Sequence, residues 1–465
     1  MSSGEFYDME DQSVIEEERV IHRDATEREY LYENFSAFCS DYDVDFSFPD
    51  GLIESAESVC DEYDQALETE ISEDESGFGH EVIGIHQTDQ PFTQWGISYT
   101  DSDIVDSGFT IHFHVPEVSR LVIPGSDLWE YGRQNPVSLY LCDQNLPMFP
   151  QGVSERLSFS EDEYRFAITI SVDFQPTYKA VNVDVNPSLV KLDQDFSVEE
   201  ISKEYSDEKV LPDSEYRSVL DRHLEVSEKF FYSRVEAGET VVNAGHDRGN
   251  LCHQEVPLQM SNLLSTYFHQ KFNIEAFYRV YPVQSTQKWD HVISRLDETG
   301  HVTVEDGSLT PYQTLITSYN DLLGKQRRGG PMGEIVFKKI GRGGYIHTIG
   351  NRSLEDRFGF ESDPYVDGVR SYLCVDSPAD RFVDIVNQYA VSYAFGQIES
   401  GLWDSISIDF ESFSRDFYEY QRGSEMVSEL YSHLYDHIGY YAIDLIRSSI
   451  VDEDSEDESM IRIER

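Results

Sequence analysis

Lysine is scarce in this 465-residue sequence: there are ten, and none precedes Lys179. Cysteine is equally thin. Cys39, Cys60, Cys142, Cys252 and Cys374 are widely spaced, odd in number and without a CxxC pair. That pattern excludes a disulfide framework and a structural zinc site, and leaves free core thiols. No run approaches the roughly 18 consecutive apolar residues that a spanning helix needs, and "MSSGEFYDMEDQSVIEEERV" has neither a basic start nor an apolar stretch. These absences predict no membrane partner and a cytoplasmic location, or assembly into a virion inside the cell. "GKQRRGG" has neither the preceding glycine nor the following Ser or Thr of a phosphate-binding P-loop. No repeat of solenoid or propeller length is present either.

What is abundant is negative charge. Acidic residues outnumber basic ones 89 to 35, giving a formal net charge of -54. Such a balance with so little lysine resembles proteins of extreme halophiles and their viruses. Carboxylates hold water and counterions in concentrated salt, where a screening length of about 3 Å at 1 M removes most of their mutual repulsion. Disorder is the other reading of high charge. Aromatic content of 13% and hydrophobic content of 39% argue for a folded core instead.

The chain is long enough for more than one domain. Residues 1–24 are acidic and polar. Over 25–79, "DATEREYLYENFSAFCSDYD" and "PDGLIESAESVCDEYDQALETEI" carry apolar residues at helical spacing, with Asp24 and Asp50 placed as N-caps, which predicts a helical hairpin. Residues 80–190 change period. "HEVIGIH", "WGISYT", "FTIHFHV", "YRFAITISVDF" and "AVNVDVN" alternate and are separated by Gly, Pro, Asp and Asn, as in an antiparallel sandwich or barrel. From 191 to 450 the pattern is mixed and largely helical, in "SEYRSVLDRHLEVSEKFFYSRVEAG", "EVPLQMSNLLSTYFHQKFN" and "PADRFVDIVNQYAVSYAFGQIESGL", with a strand in "IEAFYRVYPV". Residues 451–465 form an acidic tail. The class is therefore α+β.

Three places could carry chemistry or recognition. In "GKQRRGGPMGEIVFKKIGRGGYIHTIGNR", Lys325, Arg327, Arg328, Lys338, Lys339, Arg342 and Arg352 stand against one acid, Glu334. Two strands around the Gly-Arg-Gly-Gly turn would lay these cations along a phosphate backbone, with Tyr345 and His347 on one face to stack on bases. The same cations would equally serve an acidic protein partner or a homo-oligomer. In "NAGHDRGNLCHQE", His246, Asp247, Cys252, His253 and Glu255 offer imidazole, thiolate and carboxylate on an expected loop between helices, a set able to hold a divalent transition metal. The spacing matches no established metal motif, and a helix start explains it as well.

The third place is "GFTIHFHVPE", where His112 and His114 share a strand face ahead of Glu117. This stretch is similar to the HxH strand of cupin barrels, whose histidines hold a metal. It departs from that pattern in the position of its glycine and glutamate, and packed or solvated histidines are the alternative. "VDSPADRFVDIV" is similar to a short stretch of McrC-type restriction proteins, but also reads as Ser377 capping a helix with Pro378 in its first turn and Arg381 exposed. Together these features predict a non-catalytic interaction or assembly protein of a halophile or its virus, whose basic hairpin engages nucleic acid or an acidic partner. The alternative is a metal-dependent hydrolase, possibly a nuclease, built on His246 to Glu255.

Overall fold

The computed structural model describes residues 48–73, 79–87, 92–141, 145–161, 163–206, 216–236, 248–272, 274–280, 344–349 and 372–406, with interspersed positions as far as 428. The alternating stretches become a six-stranded sheet. Its strands are β1 (Ile83–His86), β2 (Gly96–Asp101), β3 (Phe109–Pro116), β6 (Arg165–Phe174), β7 (Ala180–Val190) and β8 (Gln194–Ser197), in the order β7-β6-β3-β2-β1-β8. A two-stranded ribbon, β4 (Leu139–Tyr140) and β5 (Asn145–Leu146), stands apart. All pairings in the large sheet are antiparallel except β1 with β8, which run parallel.

Alternation gives the sheet two unlike faces. Ile97, Ile111, Phe113, Val115, Ile168, Ile170 and Val172 are buried on one of them. Long helices supply most of the cover of that face, where the expected sandwich or barrel would have a sheet, and Ala276 and Tyr278 of the strand Glu275–Val280 join the same core. An alternating strand asks only for something apolar on one side; it does not say whether a sheet or a helix supplies it. Here the cover is α5 (Arg217–Glu236) and α6 (Arg248–Lys271). Leu220, Leu224 and Phe230 of α5, with Val256, Met260, Leu264 and Phe268 of α6, join the sheet residues in one continuous core. Each such side chain taken from water contributes about 2 kcal/mol. The sheet and its cover also run past residue 190, because β8 and α4 (Val198–Glu204) extend the same core. The link is local and cheap: Ser197 and Glu200 form a reciprocal capping box that starts α4 directly from β8.

A second core forms where α1 (Asp50–Glu73) packs with α2 (Asp127–Gln134), α3 (Gln151–Arg156) and α7 (Phe382–Ala394). Leu52, Ala56, Cys60 and Tyr63 supply one face of α1, and Tyr63 donates nothing to solvent: its hydroxyl accepts the backbone N–H of Phe166. Of the expected N-terminal hairpin, α1 is the described half; residues 25–47 lie outside the described residues, as do the acidic ends. The short α8 (Ser400–Asp404) follows α7, and Trp403 stacks on Tyr393 at 5.5 Å.

Helix α7 joins the two cores. Every residue from Phe382 to Ser392 is buried, polar ones included. Asn387 binds the Phe277 backbone at both ends, accepting its N–H at 2.9 Å and donating to its carbonyl at 2.9 Å, and also donates to Cys374. Gln388 donates to the carbonyls of Pro116 and Val375. The Asn387 amide stands in for a neighbouring strand at Phe277 of β9 (Glu275–Val280), whose ladder partner is β10 (Gly344–Ile349). A buried backbone group left without a partner costs about 1 to 3 kcal/mol. Asn387→Ala strands three groups at once, so we expect the free energy of unfolding to fall by about 3 kcal/mol or more. Urea titration of the variant beside the parent measures this.

Candidate functional site

Cys252, His253 and Glu255 lie within the first two turns of α6, not on a loop, which corrects their expected setting. The helix begins seven residues before Glu255 and carries Pro257 in its interior. Its start is pressed against α4 so closely that a Cβ on Gly249 would fall 2.0 Å from the Val198 carbonyl oxygen, and only glycine fits there. Helical geometry then separates the three candidates. Cys252 is fully buried in the apolar core. Glu255 is 1% exposed and receives Arg234 Nη1 on both carboxylate oxygens, at 3.2 and 3.1 Å. His253 turns to the end of β1, where its Nδ1 is 3.4 Å from Gln87 Nε2 and its ring 5.8 Å from that of Trp95. His246 and Asp247 lie outside the described residues. Among the described residues no three His, Cys, Asp or Glu side chains converge to hold a metal.

The histidines of β3 are held by hydroxyls. His112 lies between Thr100 Oγ1 (2.9 Å) and Ser171 Oγ (2.8 Å), and His114 between Ser98 Oγ (3.1 Å) and Thr169 Oγ1 (2.8 Å). These rows cross β2, β3 and β6 and make the second sheet face polar. Burial is the main reason both rings resist protonation, with His112 lowered to about 4 and His114 lowered well below its ordinary value. The packed alternative to the cupin-like metal strand is what this geometry provides.

The end of β1 gathers a different set, drawn from distant parts of the chain. His86 Nδ1 is 3.1 Å from Asp195 Oδ1 on the parallel neighbour β8, while Thr93 donates to Asp195 Oδ2 at 2.6 Å. The aspartate raises the His86 pKa. Gln87 reaches Asn250 at 3.3 Å. Gln94 and Tyr140 both donate to Asp380, the latter at 2.7 Å. Just beyond, Arg381 spans Asp376 (3.3 Å) and Asp384 (2.7 Å), and the Ser377 N–H donates to Asp384 at 2.9 Å. Arg381 is thus a part-buried clamp ahead of α7, not the exposed residue expected. Burial raises Asp384 to about 6, against the opposing pull of Arg381. Sequence reading missed this cluster because its pairs are separated by 102 to 286 residues, and neither periodicity nor spacing signals such pairs.

Of the basic island, Tyr345 and His347 fall on β10, opposite Arg279 and Phe277 in the antiparallel ladder. Lys325, Arg327, Arg328, Lys338, Lys339, Arg342 and Arg352 lie outside the described residues. Elsewhere arginines are matched to the chain's own acids: Arg133 with Glu130, Arg156 with Asp64, Arg217 with Glu204 and Asp221, and Arg234 with Glu255.

This arrangement of a mixed sheet under long helices is shared with solved structures of other proteins. The chain superimposes on Mycoplasma genitalium RNase R, determined with ribose methylated single-stranded RNA, with a TM-score of 0.66 and 14% identity over 90% of this chain and 65% of that one. Yeast Ssd1, described as a pseudonuclease, matches with a TM-score of 0.54 and 14% identity over 77% of this chain and 44% of that one. In sequence, Ribonuclease R 2 of Lactococcus lactis is 30% identical over 84 residues, 18% of this chain and 13% of that protein. The profile of the RNB domain matches residues 60–395, well over half of the chain. The chain belongs to the RNB domain family.

That membership overturns the leading expectation from sequence, an assembly protein of a halophile or its virus, and favours the nuclease-family alternative. Composition reports how much charge a chain carries, not the scaffold that carries it. Ribonucleases of the family typically depend on a divalent metal. The described donors do not fit one: Cys252 is sealed in the core, Glu255 is spent on Arg234, both oxygens of Asp195 and Oδ2 of Asp380 accept from protein donors, and no three such side chains converge.

His223 supplies a test of the buried imidazoles. Its Nε2 faces the Cys252 carbonyl at 2.8 Å and so carries the proton, while Nδ1 accepts from the Tyr99 hydroxyl at 2.7 Å. Burial lowers its pKa to about 4. The unfolded chain takes up this proton near pH 6.5 and the folded chain does not, so the stabilisation is complete above 6.5 and lost as pH falls towards 4. Asp384 and His86, both raised, act in the opposite sense. Comparing His223→Gln with the parent isolates the one group: between pH 6.5 and 4 the parent should lose about 3 kcal/mol more than the variant. Denaturant midpoints at stepped pH give the difference.

Proposed function

We propose that this chain is an RNA-binding protein of the RNB family that works in the cytoplasm, and that its basic island supplies the contacts to the RNA backbone. The observation that carries the reading is the allocation of cations. Within the described body arginines close ion pairs with neighbouring carboxylates, as Arg156 does with Asp64 and Arg217 with Glu204 and Asp221. In residues 324–352 the ratio is inverted, with seven cations and one acid. At physiological salt the screening length is about 8 Å, so a local excess of this kind acts on a polyanion despite a net charge of -54. Strand β10 ties the island to the body through β9, which α7 holds in turn. The likeness to M. genitalium RNase R, whose structures include complexes with single-stranded and double-stranded RNA, supports RNA over an acidic protein as the partner. Among the described residues no helix is long and apolar enough to cross a membrane.

Replacing Arg327, Arg328 and Arg342 by Gln should weaken RNA binding and reduce the slope of log affinity against log salt by about 2, at about 0.7 per phosphate contact with a single strand. Tyr345→Ala should cost roughly 1 to 3 kcal/mol with the slope unchanged, if a base stacks on that ring. Filter retention of labelled single-stranded RNA across a salt series reads both. A parent protein that retains no RNA at any salt would remove the reading.

A further inference from the structure

Among the described residues, Asp195 and Glu255 have both carboxylate oxygens engaged by protein donors, and this bears on what happens to a bound RNA. We infer that RNA held by this chain is a ligand, not a substrate hydrolysed through a divalent ion; the inference rests on the RNA-binding reading above. A hydrolytic Mg²⁺ or Mn²⁺ site needs carboxylate oxygens turned towards a common point, where the ion can bind them together with water and phosphate. Here they turn elsewhere. Both oxygens of Asp195 are engaged, Oδ1 by His86 and Oδ2 by Thr93. Asp380 Oδ2 accepts from Gln94 and from Tyr140. Asp384 Oδ2 accepts from the Ser377 N–H and from Arg381 while its Oδ1 is buried without a hydrogen-bond partner, and both oxygens of Glu255 face Arg234.

A divalent ion would have to displace these donors one by one, and at Asp384 and Glu255 it would meet a guanidinium already in place. Like charges brought together in a buried site repel strongly. Gln87, Gln94 and Trp95 occupy the connection out of β1 and into β2, and Trp95 is 4% exposed beneath His223 and His253.

The test uses the full chain and two separate readouts. Labelled single-stranded RNA is incubated with the protein in EDTA, in Mg²⁺ and in Mn²⁺, and each sample is split between filter retention and a denaturing gel. In parallel, Mn²⁺ is titrated into the RNA-free protein in a calorimeter. The expected result is comparable retention in all three conditions, RNA of unchanged length, and no stoichiometric uptake of Mn²⁺. Shortening of the RNA that needs the metal and follows the protein through gel filtration would overturn the inference while leaving the RNA-binding reading intact, and so would stoichiometric Mn²⁺ binding. If no RNA is retained, the binding reading falls, and calorimetry still decides the metal claim: absence of uptake upholds it and stoichiometric uptake defeats it.

Discussion

The interaction on which the rest depends is the grip of α7 on the backbone around it. A helix buried along its whole length would ordinarily be uniformly apolar. This one places Asp384, Asn387 and Gln388 among Phe382, Ile385, Val386 and Tyr389, and uses the three polar groups to satisfy main-chain atoms from separate parts of the chain. Each bond is modest by itself. In a low-dielectric interior their value lies in what is avoided, because every one of those backbone groups would otherwise be buried without a partner. The set also fixes position: β9, the end of β3 and the segment before α7 can sit in only one relation to the helix if all these bonds are to form.

Charge follows the same economy. An acidic chain of this size would expand by self-repulsion if its carboxylates were left to water alone. In the described body many are not. Glu255 and Asp384 are buried against arginines, Glu204 is 4% exposed against Arg217, and Glu200 closes the start of α4. Exposed pairs such as Arg133 with Glu130 contribute little. The buried ones matter chiefly because removing either partner leaves a charge stranded in the core. Acidity is thus partly internal bookkeeping, and its excess makes any basic stretch stand out.

Much of the architecture was legible from periodicity. The alternating residues of β3 and β6, and the helical spacing in α5 and α7, are local properties that the backbone expresses directly. Three things were not. The alternation of β3 says that one face is buried but not that α5 and α6 bury it. The helical pattern was read only from Glu255, so Cys252 and His253 were expected on a loop or at a helix start, whereas α6 begins at Arg248 and takes both into its first turns. The polar cluster at the end of β1 depends on parallel pairing with β8 across 109 residues, as between His86 and Asp195, and no local pattern encodes a contact of that range. The candidate metal residues looked convincing together because they are close in sequence, yet a helix turns adjacent residues to different sides.

The ladder between β9 and β10 has a further implication. Gly344 lies opposite Val280, so the chain leaves the body and returns to it at neighbouring points, with residues 281–343 between them. A segment whose two ends are clasped in this way is topologically a cassette. The entropy of closing such a loop grows only slowly, by about 0.6 kcal/mol for each doubling of length. Closing the stretch 281–343 therefore costs the β9–β10 ladder nearly the same free energy whatever its exact length.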